Sequence, residues 1–292
     1  MNRNKLIGIV LLSLAASIWG GMFVVVKVVV SLITPIALVW LRYAVALIAL
    51  GLFCWRQPLN WHIPKHDWWL LIGIGLIGNT LSIVAQETGT WLTTAQLGAV
   101  VTSATPTFML LFAHWLLKER LDWAKIVAVV MATSGVMLIV GLQLTGDHTL
   151  LGAGCLIVAA LTWALMSVLV KRATATYPPL QVTTIATAVA CITLTPVMAV
   201  RPKLLTTIPF TTPTVAGSLL YLGLISTALA FVMWNQGLQR LNASSSGLFF
   251  LWQPVVGSLL SWGLLGEPLT WGFIVGTGLI GGAIIVQVHF SH

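Results

Sequence analysis

The fold the sequence predicts is an all-α membrane protein whose ten transmembrane helices form two inverted five-helix repeats, and three observations predict it. First, the 292 residues are 58% hydrophobic and only 7% charged, with a mean hydropathy of +1.00, whereas soluble domains average about a quarter charged residues. Second, apolar runs long enough to cross about 30 Å of hydrocarbon as helices begin near Leu6, Pro35, Trp68, Thr94, Trp123, Leu151, Pro179, Val215, Ala243 and Thr270. Third, two residue ladders relate the first five runs to the last five. Trp19, Lys27 and Pro35 recur 144 positions on as Trp163, Lys171 and Pro179. Gly75, Gly89, Ala95, Pro106, Glu119 and Trp123 recur 148 positions on as Gly223, Gly237, Ala243, Pro254, Glu267 and Trp271. The slip of four is one loop insertion, and a repeat of this length outranks every other sequence signal. The repeats are assigned to residues 1–146 and 147–292.

Helices are the economical way to span, because each backbone N–H and C=O finds its partner within its own segment; the runs are too long and too uniformly apolar for barrel strands. The first run follows Arg3 and Lys5 and imitates a signal peptide. It continues to Val30, however, and Trp19 and Lys27 have partners in the second repeat, so it belongs to the fold. In the fourth and ninth runs, Pro106 and Pro254 fall near the middle, where each removes a backbone hydrogen bond and predicts a kink. Glu119 and Glu267, each thirteen residues after its proline, end those runs and are read as caps on the N-terminus of the following helix. In the fifth and tenth, Ala128-xxx-Ala132, Gly272-xxx-Gly276 and Gly278-xxx-Gly282 permit close helix packing, by default within the chain.

Orientation follows from the basic residues. With a cytoplasmic N-terminus, ten of them (Arg3, Lys5, Arg56, Lys65, Lys118, Arg120, Lys125, Lys171, Arg172 and Arg240) lie inside and two, Arg201 and Lys203, outside. That asymmetry places both termini in the cytoplasm and the Gln143 to Leu150 loop outside. Basic residues beside anionic lipid account for most of the +8 net charge, so lipid is the expected partner and nucleic acid is not. With five spans per repeat, the second half enters the membrane from the opposite side. Inverted halves of this kind are a common construction of secondary transporters.

Charges within spans are costly, by at least about 2.5–3.5 kcal/mol on insertion scales, which singles out Lys27, Arg42 and Glu87. All three fall in the outer half of the membrane. They are expected around a water-accessible cavity, with Lys27 snorkelling to the interface as the bland alternative and an Arg42–Glu87 structural pair as the other. Arg42 is a candidate contact for a substrate carboxylate, and Glu87 for an ammonium group or a proton. Polar residues crowd the two prolines, Ser103 and Gln253 among them, and bent helices at matching points of two halves point to a midplane site. Asn79 and Gln86 in the third run, and Trp234 and Asn235 in the eighth, complete the polar candidates. Most of the fourteen tryptophans anchor span ends. Trp19, Trp163 and Trp40 lie deeper and are candidate cavity residues.

Cys54, Cys155 and Cys191 have no CxxC spacing and support neither a disulfide framework nor a metal site. No GxxxxGK[ST] or HExxH occurs, so no cofactor is expected and ATP-driven or zinc chemistry has no support.

The first repeat reads Ile18-Trp19-Gly20-Gly21, then Phe23, Lys27, Pro35 and Leu41-Arg42-Tyr43, and ends in Ala104-Thr105-Pro106 and Leu117-Lys118-Glu119-Arg120-Leu121. The second ends in Ser226-Thr227-Ala228-Leu229-Ala230-Phe231, Trp234-Asn235, Gln253-Pro254 and Gly266-Glu267-Pro268-Leu269. Together these patterns resemble the EamA-type branch of the drug/metabolite transporter superfamily across nearly the whole chain. The resemblance implies a ten-helix inverted-repeat carrier in a bacterial cytoplasmic membrane, usually exporting amino acids or other small metabolites. Two departures from internal symmetry stand out: Ala164 replaces Gly20 and Ala186 replaces Arg42 at the 144 offset.

The function expected is a secondary transporter, not an enzyme, that exports amino acids or similar metabolites by alternating access, with protons as the candidate coupling ion. An enzyme on lipid-linked substrates would need convergent acid and base groups, and six scattered acidic residues give none. A channel would ask for rings of like residues along a pore.

Overall fold

In the computed structural model, residues 3–93, 95–102, 104–140, 149–265 and 271–290 are described. Ser103, Glu267 and most of the Gln143 to Leu150 loop lie outside them. Among the described residues every regular element is helical. The first half runs α1 (Arg3–Val29), α2 (Pro35–Trp55), α3 (Lys65–Ile74), α4 (Ile83–Leu92), α5 (Ala95–Thr102), α6 (Thr105–Leu117) and α7 (Trp123–Val140). The second runs α8 (Thr149–Ala173), α9 (Pro179–Val200), α10 (Lys203–Thr206), α11 (Pro213–Leu220), α12 (Ala230–Arg240), α13 (Ala243–Gly247), α14 (Trp252–Leu265) and α15 (Trp271–Phe290).

Seven continuous helical stretches among the described residues are long and apolar enough to cross a membrane, with three shorter apolar helices beside them. One of the three shorter helices reflects a local break, since the fourth run divides into α5 and α6. Pro106 sits in the first turn of α6, where a proline is tolerated because its missing N–H has no partner to lose. Its counterpart run loses its α-helical winding just before Pro254, passing through a 3₁₀ turn at Leu248–Leu251. Both prolines therefore act on the turn that precedes them, so the expected kinks are interruptions.

Two further departures from α-geometry occur at matching places. The third and eighth runs each contain a π-helical segment, Gly75–Ser82 and Tyr221–Leu229. Threonine hydroxyls reach back five residues within them, Thr80 to the Gly75 carbonyl and Thr227 to that of Leu222. π-Turns are rare and cluster at functional sites.

The halves interlock crosswise. α1 packs on α12 and α14, α8 on α4 and α6, α2 on α9, and α7 on α15. The glycine ladder marks these crossings. A Cβ at Gly75 would stand 2.6 Å from the Val189 Cβ, and one at Gly223 2.6 Å from the Val45 Cβ. Val45 and Val189 are themselves 144 positions apart. Gly89 and Gly237 repeat the arrangement against Leu156 and Leu12. Only hydrogen fits at these sites, because the helices of one half run against the backbone of the other. Along the α7–α15 seam, Gly135 faces the Gly276 carbonyl, and Ala128 and Ala132 share a cluster with Ile280 and Ala283, so these small residues serve packing within the chain.

Glu119 differs from its expected role. α6 ends at Lys118 in the left-handed region, φ 56°, which turns the chain back so that the Glu119 amide donates to the Ala113 carbonyl. The carboxylate then accepts from the Ala243 and Ser244 amides, at 2.8 and 3.1 Å, and from the Ser244 hydroxyl. It caps α13 in the other half, not the helix that follows it in sequence.

Candidate functional site

A buried ion pair lies between the halves. Arg42 on α2 and Glu87 on α4 are fully buried, with Nη1 2.6 Å from Oε1. The other guanidinium nitrogens turn to the second π-segment and α1. Nε donates to the Thr227 hydroxyl at 2.9 Å, and Nη2 to the Ser226 hydroxyl at 3.1 Å and to the Met22 sulfur at 3.4 Å. The Trp19 indole donates to the Ser226 carbonyl beside them at 2.9 Å. Every guanidinium nitrogen therefore has a protein partner, as a desolvated cation requires.

Beside this pair stands a cluster of aromatic rings. Trp19 and Trp163, 144 positions apart in sequence, meet edge to face with centroids 5.1 Å apart. Phe231, Trp234 and Phe250 pack around them at 5.2–5.8 Å from Trp19. Such contacts add about 0.5–1.5 kcal/mol per pair beyond area burial. A small cavity opens between Trp19, Trp163, Phe231, Phe250, Gln86 and Gln253, with room for about one water-sized group.

Three polar atoms from cavity-lining residues are buried without a hydrogen-bond partner among the described residues: Gln86 Nε2, Trp163 Nε1 and Gln253 Oε1. Thr105, the register mate of Gln253, has an unpaired hydroxyl too. A buried polar group left unpaired costs about 1–3 kcal/mol. Three such groups around one cavity suit a polar guest that accepts from Gln86 and Trp163 and donates to Gln253. Within the lining, Trp19 and Trp163 stand in register across the two repeats.

The remaining sequence candidates fall elsewhere. Lys27 donates to the Thr90 and Thr93 carbonyls at 3.3 and 2.6 Å, at the C-terminus of α4. Its counterpart Lys171 donates to the Gln239 carbonyl near the end of α12 at 3.1 Å. Both lysines complement the negative end of a helix, and neither lines the cavity. Trp40 is half-buried, bonded to the Thr195 hydroxyl at 3.0 Å. Asn79, Trp234 and Asn235 line a second cavity that shares Trp163 and Phe231 with the first.

Sequence reasoning passed over Phe231, Phe250 and Met22 as site residues, since apolar side chains in an apolar span carry no distinguishing mark. Ser226 and Thr227 did carry one, as adjacent hydroxyls within a span.

The sequence pattern of the EamA-like transporter family matches the chain twice, over residues 6–141 and 150–288. A probable amino-acid metabolite efflux pump of Salmonella typhimurium (strain LT2) is 28% identical over 94% of this chain and 92% of its own. An uncharacterized transporter of Archaeoglobus fulgidus is 27% identical over 93% and 95%. A putative permease-like protein of Bacillus subtilis, YdzE, is 54% identical over a shorter stretch, 24% of this chain and 88% of its own. A protein crystal structure superposes with a TM-score of 0.76 over 99% of both chains at 19% identity, which shows a common fold.

Proposed function

This chain belongs to the EamA-like transporter family, and we propose that it is a secondary carrier exporting amino acids or similar small metabolites across a bacterial cytoplasmic membrane. In this reading, the α5–α6 pair counts as one span and α7 and α15 cross fully, giving ten spans in two inverted halves, residues 1–146 and 147–292, with both termini cytoplasmic. The halves rock about the central cavity to open it to each face in turn.

The observation that carries the proposal is the cavity between Trp19 and Trp163, where Gln86, Trp163 and Gln253 present unpaired polar atoms at the junction of the two repeats. An acceptor and a donor on one small guest satisfy all three, and an amino acid offers both. The Arg42–Glu87 pair is assigned a bracing role, since its guanidinium has no free donor nitrogen. Proton coupling is compatible with this only if Glu87 releases Arg42 during the cycle.

Counterflow in proteoliposomes tests the reading. Vesicles preloaded with unlabelled amino acids are expected to accumulate labelled substrate transiently and saturably, and Gln86→Leu and Gln253→Leu to lower the rate. Flux that never saturates means a channel, and chemical conversion means an enzyme; either result would sink the proposal.

A further inference from the structure

The second cavity lies beyond the Trp163–Phe231 ring contact, whose centroids are 5.4 Å apart. These two rings line both cavities, so the cavities stand in series. Asn79, Thr183 and Asn235 supply the polar lining of the second. Thr183 lies in the first turns of α9 and Asn235 in the second half of α12, which the proposed topology places on the cytoplasmic side of the membrane.

Neighbouring threonines fix the orientation of both carboxamides. The Thr183 hydroxyl gives its only proton to the Pro179 carbonyl at 2.8 Å, so it accepts from Asn235 Nδ2 at 2.8 Å. The Thr187 hydroxyl likewise gives its proton to the Thr183 carbonyl and accepts from Asn79 Nδ2 at 3.3 Å. With the amide nitrogens turned to the threonines, Asn79 Oδ1 and Asn235 Oδ1 are left without protein partners among the described residues. The two side chains are 2% and 6% exposed and line the second cavity.

We infer that this second cavity is a subsite for a primary ammonium group, met by an outgoing substrate before the cavity at Gln86 and Gln253. The inference rests on the carrier reading for its direction of travel. Two carbonyl oxygens match two of the three N–H donors of an ammonium group, and the aromatic lining of Trp163, Phe231 and Trp234 favours the remaining positive charge. The space suits about one water-sized group, as an ammonium head is. A hard metal cation asks for about six oxygens, more than the three side-chain oxygens present. The first cavity offers N–H donors from Gln86 and Trp163, which suit the acceptor end of the same molecule.

The test uses the full-length protein purified in detergent, with methylammonium chloride as the probe and potassium chloride at equal ionic strength as the control. Methylammonium is expected to raise the unfolding midpoint saturably and to quench tryptophan fluorescence, and potassium to do neither. Asn79→Leu and Asn235→Leu each weaken the apparent affinity by about tenfold or more, as loss of a hydrogen bond to a charged group requires. Should the leucine variants not fold, Asn235→Asp supplies the opposite arm, since an added anion is expected to tighten methylammonium binding. Equal responses to the two salts, or affinities unchanged in the folded variants, would overturn the inference. The measurement is separate from counterflow: a methylammonium response without transport removes the carrier reading alone, and saturable transport without that response removes the subsite alone.

Discussion

Arg42 Nη1 stands 2.6 Å from Glu87 Oε1 with both side chains sealed from solvent, and the same guanidinium holds Ser226 and Thr227 of the opposite repeat. The pair thus ties α2 and α4 of one half to the second π-segment of the other. It is also where the internal symmetry fails, since Ala186 occupies the position 144 residues after Arg42 and Asn235 the position 148 after Glu87. Within the second half, the contact equivalent to the ion pair carries no charge: Asn235 Nδ2 on α12 donates to the Thr183 hydroxyl on α9.

Removing one partner of a buried ion pair leaves the other charge uncompensated, at about 3–5 kcal/mol. Arg42→Met and Glu87→Leu are each expected to lose that much stability in denaturant unfolding. The double variant is expected to recover most of it and to keep counterflow activity. A double variant that is stable but inactive would assign the pair to substrate or proton handling.

The crossings at Gly75 and Gly223 give a paired prediction. Alanine at either site drives a methyl group into a valine, at an expected cost of about 1–3 kcal/mol from overpacking. Val189→Gly, which removes the Cβ that alanine would keep, is expected to relieve Gly75→Ala in part, and Val45→Gly to relieve Gly223→Ala in part, as read by unfolding midpoints. Relief across the pairs, or no cost in the single variants, would contradict the contacts described.

How much of this was legible in the sequence depends on what each feature leaves behind. The glycines at 75, 89, 223 and 237 recur because a close crossing admits no side chain, so geometry wrote itself into residue type. Trp19 and Trp163 were legible as a symmetric pair for the same reason. The π-segments were not, because one extra residue in a helical turn changes no composition. Nor was the fate of Lys27. A lysine near a span end reads alike whether it faces a cavity or caps α4, and only the position of the Thr90 and Thr93 carbonyls decides it. Gln86 could be noticed as polar, but its lack of a partner is a property of the packed molecule.

The interruptions before Pro106 and Pro254 supply the third prediction. Alanine at either position restores an N–H and is expected to let the helix continue through the break. Stability is expected to hold or rise while counterflow falls several-fold, because the bend places Gln253 at the cavity. Normal transport by both variants would remove the bends from the mechanism.

The last prediction concerns Glu119, whose carboxylate bridges the end of α6 to the start of α13. α13 begins the run that carries Gln253 and Pro254, so this contact fixes the near end of a site-bearing segment. Loss of a capping side chain costs about 0.5–2 kcal/mol. Glu119→Ala is therefore expected to lower stability by that amount and to speed amide hydrogen exchange in the segment 243–247, where the first donors of the helix lose their acceptor. Glu119→Gln keeps one acceptor oxygen and is expected to fall between the two. Lys171, which holds the C-terminus of α12 four residues upstream of Ala243 through Gln239, gives a control: Lys171→Met removes a charge from the same region but leaves the α13 amides capped, and its exchange in 243–247 is expected to match the parent protein. Equal acceleration in the lysine and glutamate variants would mean that local charge, and not the cap, holds the two halves together at this end.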